Sequence, residues 1–404
     1  MKVLFLSLGT FSNLGGSSVH IDILKRFSEE HDVYLVCKRE RSEGKPTELR
    51  EEQGIHVLRV QTGNIKKVGL IEKGISTVLV EPEFKNAIKK YLSDVHFDLV
   101  LYTTPPITFA SAVRFIKKRD HALTYLMLKD IFPQNAVDIG IMSKSGVKGI
   151  IYKYFRNKEK QLYRATDYIG CMSPANCEYI LKHNPELSPN KVEVCPNITV
   201  IQDVSIDENE RIAIRKKYNI PIDRKVFVYG GNLGKPQGIP FLIECLKSVN
   251  TYENAFFLVI GNGTEFNLLK NFIDKVKPEN CRLMESLPKA DYETMVAACD
   301  VGLIFLDHRF TIPNFPSRML SYMKAKVPIL AVTDPNTDIG KVITEGGFGW
   351  WCESDKAANF ADAIQTVLDS EEDEIAKMKD REFKYMEENY SPDVAYTTII
   401  KHCR

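Results

Sequence analysis

One pattern constrains this chain more than any other. A strand runs into a glycine loop and then a helix, first at the start and again from residue 225. Lys2 to Leu8 is a nearly unbroken apolar run, the length of a strand covered on both faces. Asn13-Leu14-Gly15-Gly16-Ser17-Ser18 then supplies a turn and a helix cap. Ile21, Leu24 and Phe27 recur at helical spacing, and Val33–Val36 is the next strand. In the second half, Lys225–Gly231 leads into a glycine-rich loop and a helix from about Ile239. Phe256–Ile260 ends at Gly261-Asn262-Gly263, and Val301–Leu306 and Pro328–Val332 follow. Further strands are expected at Ile55–Val60, Leu99–Tyr102, Ala122–Met127, Tyr168–Met172 and Val192–Cys195. Strands alternating with helices predict parallel, doubly wound sheets. The expected fold class is α/β, with two Rossmann-like domains facing a central cleft. Pro196-Asn197 marks the expected hinge, since proline imposes an extended approach. The first domain is then 1–197 and the second 198–387, with a C-terminal helix at about 388–404 completing the first.

Composition narrows the functional classes. The 404 residues are 44% hydrophobic and 26% charged, values of a folded globular protein that set aside disorder, collagen and coiled coil. No stretch reaches the roughly 18 apolar residues of a membrane span. The opening segment lacks the apolar core and cleavage site of a secretion signal. Nine scattered cysteines without a CxxC pair read as core thiols in a reducing compartment, so a cytoplasmic protein is expected. The net charge of +1 conceals an asymmetry: residues 1–200 carry 29 basic and 22 acidic side chains, the remainder 25 and 31. A basic half can aim one domain at an anionic surface.

Ligands of doubly wound sheets sit beyond the carboxyl ends of strands. In the loop Gly230–Gly238, glycines let the backbone approach a phosphate and Lys235 adds a mobile positive charge. The loop has neither the Walker A order nor a clean GxGxxG, and a glycine-rich turn with a surface lysine is the competing reading. Around Phe315-Pro316-Ser317-Arg318 the sequence predicts a helix N-terminus, with amides and the Arg318 fork suited to a diphosphate. A packing helix with a solvated arginine competes with that. Gly15-Gly16 suits a close backbone approach to a ligand or a simple tight turn. Asp130 follows a strand and precedes a proline turn, placed to orient or deprotonate a hydroxyl, or to serve the turn itself.

Trp350-Trp351 reads as the edge of a core, and the eight histidines show no metal-ligand spacing, so no metal site is expected. Lys144 to Arg164 carries seven basic residues interleaved with Ile150, Ile151, Tyr152, Tyr154 and Phe155. That stretch suits either an anionic membrane surface or an ordinary solvated helix face. Nucleic acid is not expected, given the near-neutral total and the lack of a recognition module.

Taken together and in order, several segments resemble a known family. They are Gly15-Gly16, Lys129–Ala136, Cys195-Pro196-Asn197, Tyr229–Gly238, Ile260–Glu265, Ser286-Leu287-Pro288, Pro316-Ser317-Arg318 and Tyr322-Met323. The chain is similar, nearly end to end, to the family 4 glycosyltransferases of the GT-B fold. Its likeness is greatest to the bacterial capsule and O-antigen branch that includes the N-acetyl-L-fucosamine transferases. The resemblance implies retaining, metal-independent hexosyl or N-acetylhexosaminyl transfer from a nucleotide diphospho-sugar, a UDP-sugar favoured, to a lipid-linked saccharide at the inner membrane face. No cofactor is implied. The second domain would hold the donor, with Gly231, Asn232, Gly234, Lys235, Phe315, Pro316, Ser317, Arg318 and Ser321 around its phosphates. Gly261, Leu287 and Pro288 would border the base. Gly15 and Gly16 would approach the donor phosphate, and Asp130 would line the acceptor side, with Asp130, Lys235 and Arg318 carrying the chemistry.

The chain departs from the family pattern at two places. The positions of the family's paired glutamates fall on Pro313 and Ser321, and Asn232 stands where many members place an arginine. Two alternatives follow: a non-catalytic GT-B subunit that binds a nucleotide or glycan, and a UDP-sugar epimerase of the same fold. Donor sugar, acceptor, linkage and oligomeric state are not written in the sequence.

Overall fold

The computed structural model describes residues 1–64 and 69–403; Arg404, the last residue of the expected C-terminal helix, lies outside them. The chain forms two compact units, Met1–Val200 with Ser391–Arg404, and Ile201–Tyr390.

The first unit contains strands β1 (Lys2–Ser7), β2 (Asp32–Glu40), β3 (Glu48–Glu52), β4 (Ile55–Thr62), β5 (Leu99–Thr103), β6 (Leu123–Leu128), β7 (Tyr168–Cys171) and β8 (Val192–Val194). They form one sheet in the order β3-β4-β2-β1-β5-β6-β7-β8. Every pair is parallel except β3 with β4. Helix Val19–Ser28 follows β1, and the Ser18 side chain caps it by accepting from the Ile21 amide. Its apolar stripe, Ile23, Leu24 and Phe27, packs with Phe5, Leu35, Val57 and Met127. Helix Pro392–Ile400 adds Ala395, Tyr396 and Ile399 to this same core. Each such buried aliphatic or aromatic side chain contributes about 1.5–3 kcal/mol.

The second unit contains β9 (Lys225–Gly230), β10 (Ala255–Ile260), β11 (Cys281–Met284), β12 (Val301–Phe305), β13 (Ile329–Thr333) and β14 (Gly349–Glu353). The order is β11-β10-β9-β12-β13-β14, parallel throughout. Continuous apolar strands suit this topology, because helices cover both faces of a parallel sheet. Phe227, Tyr229, Phe257, Leu303 and Phe305 meet Leu242, Leu246, Phe360 and Ile364 in its core. The strand order reverses beside β9, where β10 departs on one side and β12 on the other. That switch point is where a doubly wound sheet opens its ligand crevice.

Candidate functional site

At the carboxyl end of β9 two glycine loops nest. Gly231 has φ +123°, a region that favours glycine, and its amide donates to Ile260 O at 2.8 Å. A Cβ on Gly261 would come within 1.9 Å of the Gly231 carbonyl oxygen, and one on Gly263 within 2.3 Å of Leu233 O. The Gly261-Asn262-Gly263 spacing thus has a packing cause: it lets one loop seat the other. Side chains brace the seat. Tyr229 Oη donates to Asn232 O at 2.7 Å, and Gln237 Oε1 accepts from Asn232 Nδ2 at 2.9 Å and from the Gly234 amide at 3.2 Å.

Arg318 reaches this loop from the start of helix Arg318–Lys324. Its guanidinium lies 4.2 Å over the Tyr229 ring, and a Cβ on Gly231 would come within 2.7 Å of its Nη2. The side chain is half-buried, and no carboxylate pairs with it among the described residues. A desolvated cation without a counter-charge is costly unless a ligand supplies the anion. Lys235, exposed in the same loop, has no ion pair among the described residues either.

Sequence reasoning missed the part that holds Arg318 in place. Tyr322, one helical turn on, is buried; its hydroxyl accepts from the Gly230 amide at 3.3 Å and lies 3.1 Å from the carbonyls of Val228 and Leu303. It therefore locks the helix to β9 and β12. Gly302 makes room for its ring, since a Cβ there would come within 2.5 Å of it. Tyr292 similarly lies over Gly230, its hydroxyl 2.1 Å from where a Cβ would stand. Glycines facing tyrosine rings were the available signal.

The turn before Arg318 differs from expectation in detail. Ser317 makes no side-chain cap, Pro316 has no N–H, and the amides of Met319 and Leu320 already donate to Pro316 O and Ser317 O. Phe315 is buried and Ser317 exposed. Pro313 is buried and Ser321 exposed, so neither position offers a carboxylate. Leu287 is half-buried and Pro288 exposed, between β11 and helix Lys289–Ala297.

In the first unit, Asp130 follows β6. Its amide donates to Thr104 Oγ1 at 3.1 Å, and its Oδ1 accepts from Asn135 Nδ2 at 2.7 Å. Burial pushes its carboxyl up to about 6. Neighbouring Lys129, its pKa lowered by burial, donates to the carbonyls of Cys195 and Pro196 at 3.2 and 3.0 Å. Burial, with Lys129 adding to it, lowers His20 to about 4, so it stays neutral near pH 7. Gly15 and Gly16 are exposed, and nothing lies within 4 Å of where a Cβ on Gly16 would stand. Neither strain nor packing among the described residues requires glycine at position 16.

All of the basic stretch but its first cation, Lys144, falls in helix Gly146–Ala165. Three of its seven cations turn to carboxylates: Arg156 to Glu159, Lys158 to Glu81 and Lys160 to Glu186. Lys144, Lys148 and Lys153 are exposed, beside a ridge of Val147 (79% exposed), Ile150 (70%), Ile151 and Tyr154. Trp350 packs at the edge of the second core, and Trp351 Nε1 donates to Thr333 Oγ1 at 2.9 Å. Among the described residues, no helix is long and apolar enough to cross a membrane. None of their His, Cys, Asp and Glu side chains gather in threes to hold a metal ion.

Two Rossmann-like units joined in one chain, with this loop at the switch point of the second, define the GT-B fold. Solved structures carry the same fold over the whole chain. Sucrose-phosphate synthase from Thermosynechococcus elongatus aligns at a TM-score of 0.76, 12% identical, covering 99% of this chain and 98% of that one. HepE from Anabaena in complex with UDP aligns at 0.70, 14% identical, covering 100% and 99%. Residues 210–384 match the family described as Glycosyl transferases group 1. A probable glycosyltransferase, WbjE of Pseudomonas aeruginosa, is 26% identical over 280 residues, 69% of this chain and 66% of that protein. The chain thus spans less than two thirds of the length of the curated relatives it matches.

Proposed function

We propose that this protein is a group 1 glycosyltransferase that binds a nucleotide diphospho-sugar at the β9 loop and transfers the sugar to a lipid-linked saccharide. The observation that carries this reading is the half-buried Arg318 guanidinium, seated against Gly231 without a carboxylate. A diphosphate is the anion such a fork fits, in two parallel hydrogen bonds. Two comparisons support this reading: HepE, a structure of the same fold, was solved with UDP, and the family match falls on the second unit. Arg318 also brings an arginine against Gly231, beside the loop position of Asn232 where the resemblance would place one.

The chemistry follows from charge. As the sugar leaves, negative charge grows on the diphosphate oxygen, and Arg318 with Lys235 stabilises it in place. Retention of configuration follows if the acceptor hydroxyl attacks the face that the leaving group vacates. The acceptor side falls to the first unit, with Asp130 orienting the hydroxyl; a carboxyl with its pKa near 6 is suited to receive a proton at neutral pH. The open space around Gly16 suits the close approach of a phosphate. The exposed ridge of helix Gly146–Ala165, with Lys144, Lys148 and Lys153, suits the anionic inner face of a cell membrane, where each basic side chain adds about 1 kcal/mol.

The lack of carboxylates at Pro313 and Ser321 favours a second reading, a nucleotide-binding subunit without activity. Incubating the protein with UDP-sugars, with and without a membrane extract holding lipid-linked saccharides, tests both. Acceptor-dependent release of UDP is expected. Binding without release supports the subunit, and a changed sugar configuration without acceptor supports an epimerase.

A further inference from the structure

The first unit holds a polar cavity of about 460 Å³ at the carboxyl ends of β2 and β4, within the size range of small-molecule sites. Strand register puts Arg39, Arg59, Glu48, Arg50 and Glu52 on one face of the sheet. Ser12, Lys45 and Pro46 complete the lining.

Its charges do not balance. Glu48 is shared, 2.7 Å from Arg39 Nη1 and 2.9 Å from Arg50 Nε. Glu52 is held by Arg59, whose Nη2 donates to Oε2 at 2.9 Å. Lys45 has no ion pair among the described residues, so four cations face two carboxylates. The Arg39 side chain is only 7% exposed. Its Nη1 serves Pro46 O and Glu48, while Nε and Nη2 find no acceptor among the described residues. Both nitrogens open onto the cavity, where water or an anion can accept from them. The cavity also adjoins the first glycine loop, because Arg59 Nε donates to Phe11 O at 2.9 Å.

We propose that this cavity binds an anionic group on the acceptor saccharide, a carboxylate or a phosphate, with Arg39 beneath it and Arg50 and Lys45 beside it. The acceptor role rests on the transferase reading above; the anion site rests on the cavity alone. Guanidinium forks take either anion, whereas a neutral sugar leaves the two excess charges unmatched. An acidic acceptor is thereby selected over a neutral one.

Ligand-observed NMR titrations of glucuronate, glucose 1-phosphate and glucose test this on the full chain, with and without UDP. The variant is Lys45→Ala/Arg50→Ala, which changes exposed side chains only; Arg50 is 66% exposed. Both anions should bind more tightly than glucose, and the variant should weaken them about tenfold, the worth of one charge-assisted contact. Preference for glucuronate identifies a uronic acid, and preference for glucose 1-phosphate identifies a phosphate of the lipid carrier. Equal binding of glucose, no effect of the variant, or displacement of the anions by UDP overturns the proposal. UDP binding without anion binding overturns the cavity and leaves the transferase reading intact. Variant-sensitive anion binding without UDP binding supports the anion site and removes the reading on which its acceptor role rests.

Discussion

Replacing Arg318 by glutamine should weaken nucleotide binding without weakening the fold. The guanidinium lies 4.2 Å over Tyr229 and has no carboxylate partner among the described residues. Two lost charge-assisted hydrogen bonds, each about 1.5–3 kcal/mol, remove about 3 kcal/mol or more of UDP binding. That is roughly a hundredfold rise in Kd. In the free protein the terms oppose one another. The ring contact gives up about 0.5–2 kcal/mol, while relief of an unpaired, partly desolvated charge returns a comparable amount. The free variant should therefore melt within a few degrees of wild type. UDP at a hundred times the wild-type Kd should stabilise wild type by about 2.7 kcal/mol and the variant far less. Thermal melts with and without UDP, alongside direct titration, read both quantities. A variant that melts far lower yet binds UDP as before would show that Arg318 only packs and does not hold the nucleotide.

Three further outcomes are expected. Tyr322→Phe strips the Gly230 amide of its buried acceptor and should cost about 1–3 kcal/mol in denaturant melts, with a smaller loss of UDP affinity; an unchanged midpoint contradicts the locking role. Asp130→Asn should stabilise the protein near pH 8. A carboxyl raised to about 6 from an unfolded value near 4 disfavours the folded state once ionised. The gain should shrink as pH falls through 6 and vanish below 4, while transfer activity drops at every pH; a pH-independent gain contradicts the buried carboxylate. Val147, Ile150 and Ile151 changed together to serine should abolish sedimentation with anionic vesicles and leave the melting temperature unchanged. Retained sedimentation removes the ridge from the membrane contact.

The legible parts of the fold were those whose residues answer to a single cause. Apolar runs such as Lys225–Gly230 and Ala255–Ile260 are strands because a parallel sheet is buried on both faces. Glu48–Glu52 escaped notice because it is an antiparallel edge strand whose face carries charges, and no apolar run announces it. The same blindness hid the charged cavity, which register alone assembles from β2, β3 and β4. Arg318 and the glycine loop were visible as types in order. Their meeting at Gly231 was not, because it depends on Tyr322 pinning a helix across two strands, β9 and β12. In helix Gly146–Ala165 the count of basic residues overstated the free charge, since partners such as Glu81 lie far away in sequence.

On the proposed function, the β9 loop holds a nucleotide diphosphate. Calorimetric titration of UDP and GDP, with a panel of UDP-sugars, into wild type and Lys235→Ala tests it most directly. Saturable binding of one nucleotide to wild type is expected, weakened at least severalfold in the variant, since Lys235 lends its charge to the phosphates. No saturable binding of any of these ligands, or binding indifferent to Lys235, would contradict it.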